Sequence, residues 1–389
     1  MDFDLNEDQR VLRDAVREFA RQEVAPGAAD RDKAHAIPPE LIRKMAEMGL
    51  LGVCIPSAYG GSGMGTIEST LVVEEISRCC AGCGVFISAH NSLCVDPIIA
   101  FGTEQQKRRY LPRLASGDAI GCFSLTEAGS GSDAGAARCA AVATDEGWRV
   151  NGSKIFVTNG KEAEVIILFA VTDPDESRHR LSALIVDQPS NGLQLVKLED
   201  KLGIRCTSTA EFVYEDCLVP RENLLGERGR GMRVALTTLD GGRIGVAAQA
   251  LGIARACLEA AVQYAVTREQ FRRPIGRFQA IQEKLATIAV SLEAARGLVY
   301  RAAWCKDAGK PYAYEAAQAK LFASEACNRA AAAAVQVYGG YGYCADYPVE
   351  RLYRDAKITE LYEGTSEIHR LVIARGLLEP GSNVWETNR

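Results

Sequence analysis

The chain has 389 residues, of which 47% are apolar and 24% charged, a balance that excludes a disordered or fibrous protein. That length exceeds what one hydrophobic core usually organises, so two or three domains sharing an interface are expected. The formal charge of -5 comes with no long basic block, so a nucleic-acid footprint is not expected, and small anionic ligands would be held by a few local cations.

The N-terminus, Met1-Asp2-Phe3-Asp4-Leu5, begins acidic and lacks the basic start and apolar core of a secretion signal. The run from Val165 to Val171 reads as the longest apolar stretch and is far too short to span a bilayer. A cytoplasmic protein without membrane insertion is the expectation. The 13 cysteines then read as buried, reduced thiols and not as a disulfide framework. Cys79, Cys80 and Cys83 contain a C-x-x-C, but no second one appears. A metal site there would need distant partners such as Cys94 or His90, and tight helix packing suits these small residues, so no metal is expected.

From Leu5 to about residue 115 the period is helical: Leu12, Val16, Phe19 and Ala20 share one stripe, and Leu71, Val72 and Ile76 another. Pro38-Pro39 and Gly60-Gly61-Ser62-Gly63 break the elements. Around Ile120 the pattern changes to short runs, Trp148 to Val150, Lys154 to Thr158, Val165 to Val171 and Leu181 to Val186. Asp145-Glu146-Gly147 and Ser190-Asn191-Gly192 supply turns, so an antiparallel β domain is expected. Gly226 to Gly231 reads as a flexible junction. Beyond it Phe278, Ile281, Leu285, Ile288 and Leu292 follow helical spacing, and Ala330 to Ala334 permit close helix approach, as in a bundle. The division is therefore 1–118 helical, 119–228 β and 229–389 helical, an α+β chain.

Three segments carry chemistry. The first is Leu125-Thr126-Glu127-Ala128-Gly129-Ser130-Gly131-Ser132-Asp133. Its glycine spacing resembles a dinucleotide fingerprint, but strand and turn follow it where that fingerprint needs a helix. Exposed backbone N–H groups beside small hydroxyls can still cradle a flavin or a phosphate, although a plain β-turn fits as well. The second is Tyr362-Glu363-Gly364-Thr365-Ser366-Glu367-Ile368, in which Thr365 or Ser366 caps a helix through Ile368, Leu371, Val372 and Arg375. Glu363 then sits on the entering loop, free to reach a pocket near oriented N–H groups, or simply solvated and favoured by the helix dipole. The third comprises Arg268, Phe271, Gln279 and the run Gln336 to Gly340, where Arg and Gln beside Gly-Gly suit phosphate and adenine, as they would suit an ordinary surface.

With Asn151 to Asn159, Asp240-Gly241-Gly242-Arg243, Gln336 to Gly342 and Arg354 to Ile368, these segments make the chain resemble the acyl-CoA dehydrogenase family almost end to end, and its short-chain or butyryl-CoA branch most closely. The resemblance implies an N-terminal α-helical domain, a middle antiparallel β domain and a C-terminal four-helix bundle. It implies FAD as cofactor, an acyl-CoA substrate, an electron-transferring flavoprotein as acceptor and a homotetramer. Phe123, Leu125, Thr126, Gly131, Ser132, Phe156, Val157 and Thr158 then correspond to the wall that holds the isoalloxazine. Arg268, Phe271, Gln279, Gln336, Val337, Gly339 and Gly340 correspond to partner-subunit contacts to the rest of FAD. Ser132, Asp240 and Arg243 correspond to the CoA side, Glu363 to the catalytic base, Gly364 to the thioester neighbour, and Thr365 and Glu367 to further flavin contacts.

The implied reaction is α-proton abstraction with β-hydride transfer to flavin N5. It needs a carboxylate whose pKa is raised by desolvation and a stabilised enolate oxygen. Phe156, where many relatives carry tryptophan, favours the short-chain branch. Ala128 replaces a common proline and changes only loop rigidity. The substrate class implied is a short-chain, or small cyclic or branched, acyl-CoA; Asp96 falls in the segment resembling the acyl-pocket wall, where a second carboxylate would serve an unusual acyl group, for example a cyclic or hydroxylated one, or simply end a helix or form a salt bridge. An enoyl-CoA reductase, an acyl-CoA oxidase and a flavin-binding scaffold are the rival readings, separated by flavin bleaching, oxygen uptake and the presence of the base.

Overall fold

The computed structural model describes residues 4–176 and 179–378; Met1 to Phe3 of the acidic start and 379–389 of the last segment lie outside the described residues. Seven helices come first: α1 (Glu7–Phe19), α2 (Ala28–Ala34), α3 (Pro39–Glu47), α4 (Thr66–Cys79), α5 (Ala81–Ser88), α6 (Asp96–Phe101) and α7 (Glu104–Ser116). Capping boxes start α1, where Asn6 and Gln9 exchange hydrogen bonds, and α7, where Thr103 and Gln106 do the same. Val16, Ala20, Val72 and Ile76 point into one shared core with Met45 and Phe86, as the helical spacing requires.

A π-helical stretch, Ala89–Val95, joins α5 to α6. The helical segments Ala81–Phe101 and Gly231–Thr267 are, by length and mean hydropathy, apolar enough to cross a membrane, although polar residues interrupt both where Val165 to Val171 is unbroken. In each, 72% of the apolar window is buried inside the protein, which is how core helices behave.

Eight strands follow: β1 (Ile120–Ser124), β2 (Ala140–Ala143), β3 (Trp148–Thr158), β4 (Ala163–Val171), β5 (Leu181–Asp187), β6 (Leu193–Leu198), β7 (Thr209–Val219) and β8 (Leu224–Leu225). The sheet runs β6-β7-β3-β2-β4-β5-β8, with β1 paired beside β4. It is mixed and not purely antiparallel, because β1 and β2 both run parallel to β4. The two short runs expected at Trp148 to Val150 and Lys154 to Thr158 are one strand whose pairing with β7 is interrupted at Val150/Gly152 and Lys154/Val157. Those bulges broke the alternation from which separate strands were read. The expected turns at Gly147 and Gly192 both have positive φ, 149° and 80°. Gly226 to Gly231 is no loose junction. Gly229 N–H donates to Ser182 Oγ at 2.9 Å, and a Cβ on Gly231 would lie 2.6 Å from Ser182 carbonyl carbon.

One buried ion pair shapes the sheet's functional edge. Lys154, fully buried on β3, donates to Glu127 Oε1 at 2.7 Å and to Leu125 O at 2.8 Å. Glu127 also accepts from the backbone N–H groups of Arg138 (2.7 Å) and Cys139 (3.0 Å), so one carboxylate ties both ends of the 125–139 loop to β3. Burial opposes its charge, but Lys154 and the two N–H groups outweigh burial and hold it below the usual carboxylate range. Lys154→Met should therefore cost about 3–5 kcal/mol by stranding that charge, read as a lower midpoint in urea unfolding. Lys154→Met combined with Glu127→Gln should recover part of it.

The remaining helices are α8 (Gly231–Thr267), α9 (Gln279–Asp307), α10 (Ala313–Tyr338), α11 (Pro348–Lys357) and α12 (Ser366–Leu378), with a two-residue hairpin β9 (Glu269–Gln270) and β10 (Arg273–Pro274) between the first two. Ala247, Ala250, Ala254 and Ala261 of α8 and Ala323, Ala330, Ala331 and Ala334 of α10 are all buried in one core; without bulky side chains the helices approach closely. The helix α8 also packs on α4, α5 and β5. It is the element common to all three regions, and the site forms where it passes beneath the loop before α12.

Candidate active site

That loop is held in an unusual backbone shape. Glu363 and Gly364 both have positive φ, 52° and 98°; for glutamate this costs on the order of 1–2 kcal/mol. Three contacts hold it there. Lys320 of α10, fully buried, donates Nζ–H to Gly364 O at 2.6 Å. The Tyr362 hydroxyl donates to Gln249 Oε1, and Gln249 in turn donates to Ala81 O at 3.2 Å. Thr365 Oγ1 accepts from Ile368 N–H at 3.4 Å, capping α12.

The result aims Glu363 at the surface of α8. A Cβ placed on Gly242 would lie 2.0 Å from Glu363 Oε2 and 3.0 Å from Leu93 Cδ2, so the glycine makes the space that the carboxylate fills. Oε2 is buried and has no hydrogen-bond partner. Burial pushes the carboxyl up to about 7, with the Lys320 and Arg243 charges opposing it. His369, behind Gly364, is buried with both ring nitrogens unpartnered; burial first, then Lys320 and Arg243, push it down to about 3, so it is neutral near pH 7. An ionisable carboxyl with a buried oxygen, poised near neutrality and lacking a donor, is the arrangement a general base needs.

Arg243 is buried and ion-paired with Asp240 one helical turn away. It follows Gly242 on α8, and its charge bears on Glu363. Ser132, by contrast, is exposed on the 125–139 loop, and among the described residues no hydrogen bond joins it to Asp240 or Arg243. Asp96 begins α6 and accepts from Lys306 Nζ at 2.6 Å. Burial weakens the Lys306 charge, but Asp96 more than offsets it and holds that lysine above its ordinary range. The pair lies against the Cβ position of Gly241, next along α8 from the glycine under Glu363. Asp96→Asn should therefore lower thermal stability, by leaving Lys306 half-sequestered without its counter-charge, more than it alters turnover; paired melting curves and steady-state rates check this.

On the sheet, Phe156 stands 60% exposed with φ 57°. Ile155 N–H donates to Thr126 O at 2.9 Å, so the first segment and the middle of β3 are brought side by side as the sequence suggested. Phe123, Thr126 and Thr158 are half-buried, whereas Leu125 and Val157 are buried. Nothing lies within 4 Å of a Cβ built on Gly129 or Gly131. A bare aromatic face beside an open glycine lip fits a flat, polar-edged ring system such as a flavin. The third segment is elsewhere in the chain. Arg268 lies over Tyr341 at 5.3 Å, Phe271 is 86% exposed and stacks edge-on with Phe278, Gln279 and Gln336 are exposed, and Val337 is buried. Nothing lies within 4 Å of a Cβ on Gly339 or Gly340. These residues lie on and beside the hairpin, at the start of α9, at the end of α10 and in the 339–343 turn, which packs on α10 and α11. Thr365 is half-buried and Glu367 exposed.

Lys320, His369 and Gln249 are site residues that motif reading missed. Lys320 did carry a signal, since it falls on the buried Ala316, Ala319, Ala323, Cys327 stripe of α10, where a lone lysine demands a partner.

Three family models together span the chain: the acyl-CoA dehydrogenase N-terminal domain over residues 6–118, the middle domain over 122–217 and the C-terminal domain over 229–378. The chain is 49% identical over 375 residues to the mitochondrial short-chain specific acyl-CoA dehydrogenase of Rattus norvegicus, covering 96% of this chain and 91% of that one. The structure of butyryl-CoA dehydrogenase from Megasphaera elsdenii matches with a TM-score of 0.95 at 44% identity, covering 97% of this chain and 100% of that one. A chain from work on the electron transferring flavoprotein of Acidaminococcus fermentans and flavin-based electron bifurcation matches with a TM-score of 0.97 at 50% identity, covering 98% of this chain and 100% of that one. With the poised carboxyl on its left-handed loop and every domain model matched in order, the chain belongs to the acyl-CoA dehydrogenase family.

Proposed function

We propose that this protein is a FAD-dependent dehydrogenase that converts a short-chain acyl-CoA to the 2-enoyl-CoA, with Glu363 as the base. The observation that carries the reading is Glu363 Oε2, buried, unpartnered and seated over Gly242. Phe156, Thr126 and the open Gly129 to Gly131 lip would hold the ring system, and FAD when bound supplies the hydride acceptor that no side chain provides. Glu363 takes the α-proton onto Oε2. Lys320 fixes Gly364 through its carbonyl and so keeps the carboxyl and the local N–H groups in register with a thioester. Leu93 closes the wall beside the carboxyl and the Asp96–Lys306 pair sits beyond it, which favours a short or small branched chain, because a long alkyl tail would have to desolvate that ion pair.

The test is a panel of acyl-CoA thioesters of increasing length, scored by anaerobic bleaching of the yellow protein. Butyryl-CoA should bleach it fully, and chains of twelve or more carbons at least ~100-fold more slowly. Efficient bleaching by the long chains alone would refute the substrate class, and oxygen uptake at the bleaching rate would mark an oxidase.

An electron-transferring flavoprotein as acceptor and a homotetrameric assembly are part of the same proposal. Exposed Phe271, Val290 and Leu371 support a further subunit on the helical face, and sedimentation should then give about four times the chain mass.

A further inference from the structure

Away from the active site, three thiols converge where the N-terminal helices, the 199–208 loop and α11 meet. Cys80 closes α4, Cys83 lies in α5, and Cys206 comes from the loop between β6 and β7. Their sulfur atoms all lie within 4.8 Å of one another, and Cys80 Sγ is 3.8 Å from Cys206 Sγ. Each residue is at least 94% buried. A cation bound to thiolates at about 2.3 Å sets its sulfurs about 3.8–4.0 Å apart, so the cluster needs little adjustment to enclose one. The pocket is shaped for the third sulfur: a Cβ on Gly82, inside the C-x-x-C, would lie 2.2 Å from Cys206 Sγ, and Thr207 Oγ1 donates to Gly82 O at 2.7 Å.

A second observation is electrostatic. Arg31 is 6% exposed, and among the described residues no carboxylate pairs with it. It donates to the carbonyls of Val24 and Pro26, yet its Nε is buried without a partner. The three cysteines are what its charge faces. A buried guanidinium whose partners are only neutral carbonyls and thiols is a costly arrangement; one formal negative charge at the sulfurs would offset it.

We propose that Cys80, Cys83 and Cys206 form a three-thiolate site for zinc, with Arg31 as its outer counter-charge. Three thiolates contribute -3, the ion +2 and Arg31 +1, so a divalent ion leaves one negative charge fewer at the cluster than a monovalent soft ion; Lys201 and Asp355 also bear on these cysteines, with opposite sign when both are charged. Binding releases three thiol protons. Buried and remote from Glu363, the ion serves as a clamp. It ties the α4–α5 junction to the 199–208 loop, whose Leu202 O accepts from Arg354 at 3.2 Å and whose Ile204 N–H donates to Asp355 at 2.5 Å, next to the segment that leads into the catalytic loop. The sequence hid the third ligand, because Cys206 is 123 residues beyond Cys83 in the chain. The partners considered from sequence are engaged elsewhere, His90 with Leu51 O and Gly121 N–H, and Cys94 with Val165 O.

The experiment uses the full-length FAD-loaded protein, equilibrated with zinc chloride and desalted. Elemental analysis should give about one zinc per chain, and the zinc X-ray absorption edge about three sulfurs near 2.3 Å. Cys83→Ser and Cys206→Ser should each lower zinc content at least ~10-fold, and Arg31→Met should weaken binding about 10-fold. A strong chelator should lower the wild-type melting temperature and leave both serine variants unmoved. The proposal is overturned if the wild type holds no zinc, if both serine variants hold as much as wild type, or if thiol titration after denaturation finds two fewer thiols than cysteines, which would mean a disulfide. The absorption edge is read on wild type alone, so a poorly folding variant does not shield the proposal.

Discussion

Glu363→Gln is expected to give a yellow, folded protein that binds butyryl-CoA and reduces its flavin at least ~1000-fold more slowly than wild type. The amide fills the same space over Gly242 but cannot take a proton. It also reports on the cost of keeping a carboxylate in that pocket. Glu363 is held near 7 against 4.5 for an ordinary carboxyl, so its folded value is the raised one. Its contribution to stability is fully present below about pH 4.5 and is lost as pH rises through about 7. Above pH 7 the wild type should therefore be less stable than Glu363→Gln, by at most about 3 kcal/mol, while at pH 4.5 the two should melt together. Equal melting temperatures at pH 8 would mean that the carboxylate is solvated, and rapid flavin reduction by the variant would remove Glu363 from the chemistry.

Gly242→Ala is the second large effect. Its added methyl would sit 2.0 Å from Glu363 Oε2 and 3.0 Å from Leu93 Cδ2, both far ends of flexible side chains. The side chains can swing aside, so the melting temperature should fall only slightly, by what about 1 kcal/mol represents. The carboxyl, however, loses its seat, and an ångström of misplacement is worth about 100-fold in rate. Flavin reduction should slow by roughly that factor while FAD content stays at the wild-type level. Gly241→Ala makes the comparison sharp. Its methyl would stand 3.1 Å from Lys306 Nζ and 3.6 Å from Asp96 Oδ2, a tolerable approach, so its rate should remain within about threefold of wild type. If the two glycine variants lose rate equally, the seat for the base is not the cause.

What could be read from the sequence was what depends on local order. The helix stripe through Val16 and Ala20, the cap at Thr365 and the turns at Gly147 and Gly192 are properties of a few adjacent residues, and each stands where its spacing put it. The carboxylate on the loop before α12 was legible for the same reason, and the role of base came from the resemblance carried by the ordered motifs. What escaped depends on residues far apart in the chain. The parallel pairing of β1 and β2 with β4 is decided by where the chain enters the sheet, and no residue pattern in Ile120–Ser124 declares it. Lys320 reaches Gly364 across 44 residues and Lys306 reaches Asp96 across 210, so local spacing names neither partner. The bulges in β3 split one strand into two apparent runs by shifting the phase of the alternation.

The most direct measurement of the central claim is the anaerobic rate of flavin bleaching by butyryl-CoA between pH 5 and 9, by stopped flow. The base must be ionised to act, and burial holds Glu363 near 7. The rate at limiting substrate should therefore climb about tenfold for each pH step below about 7 and level off above it. A rate that is flat across this range, or that falls as pH rises through 7, would contradict a buried carboxylate as the proton acceptor.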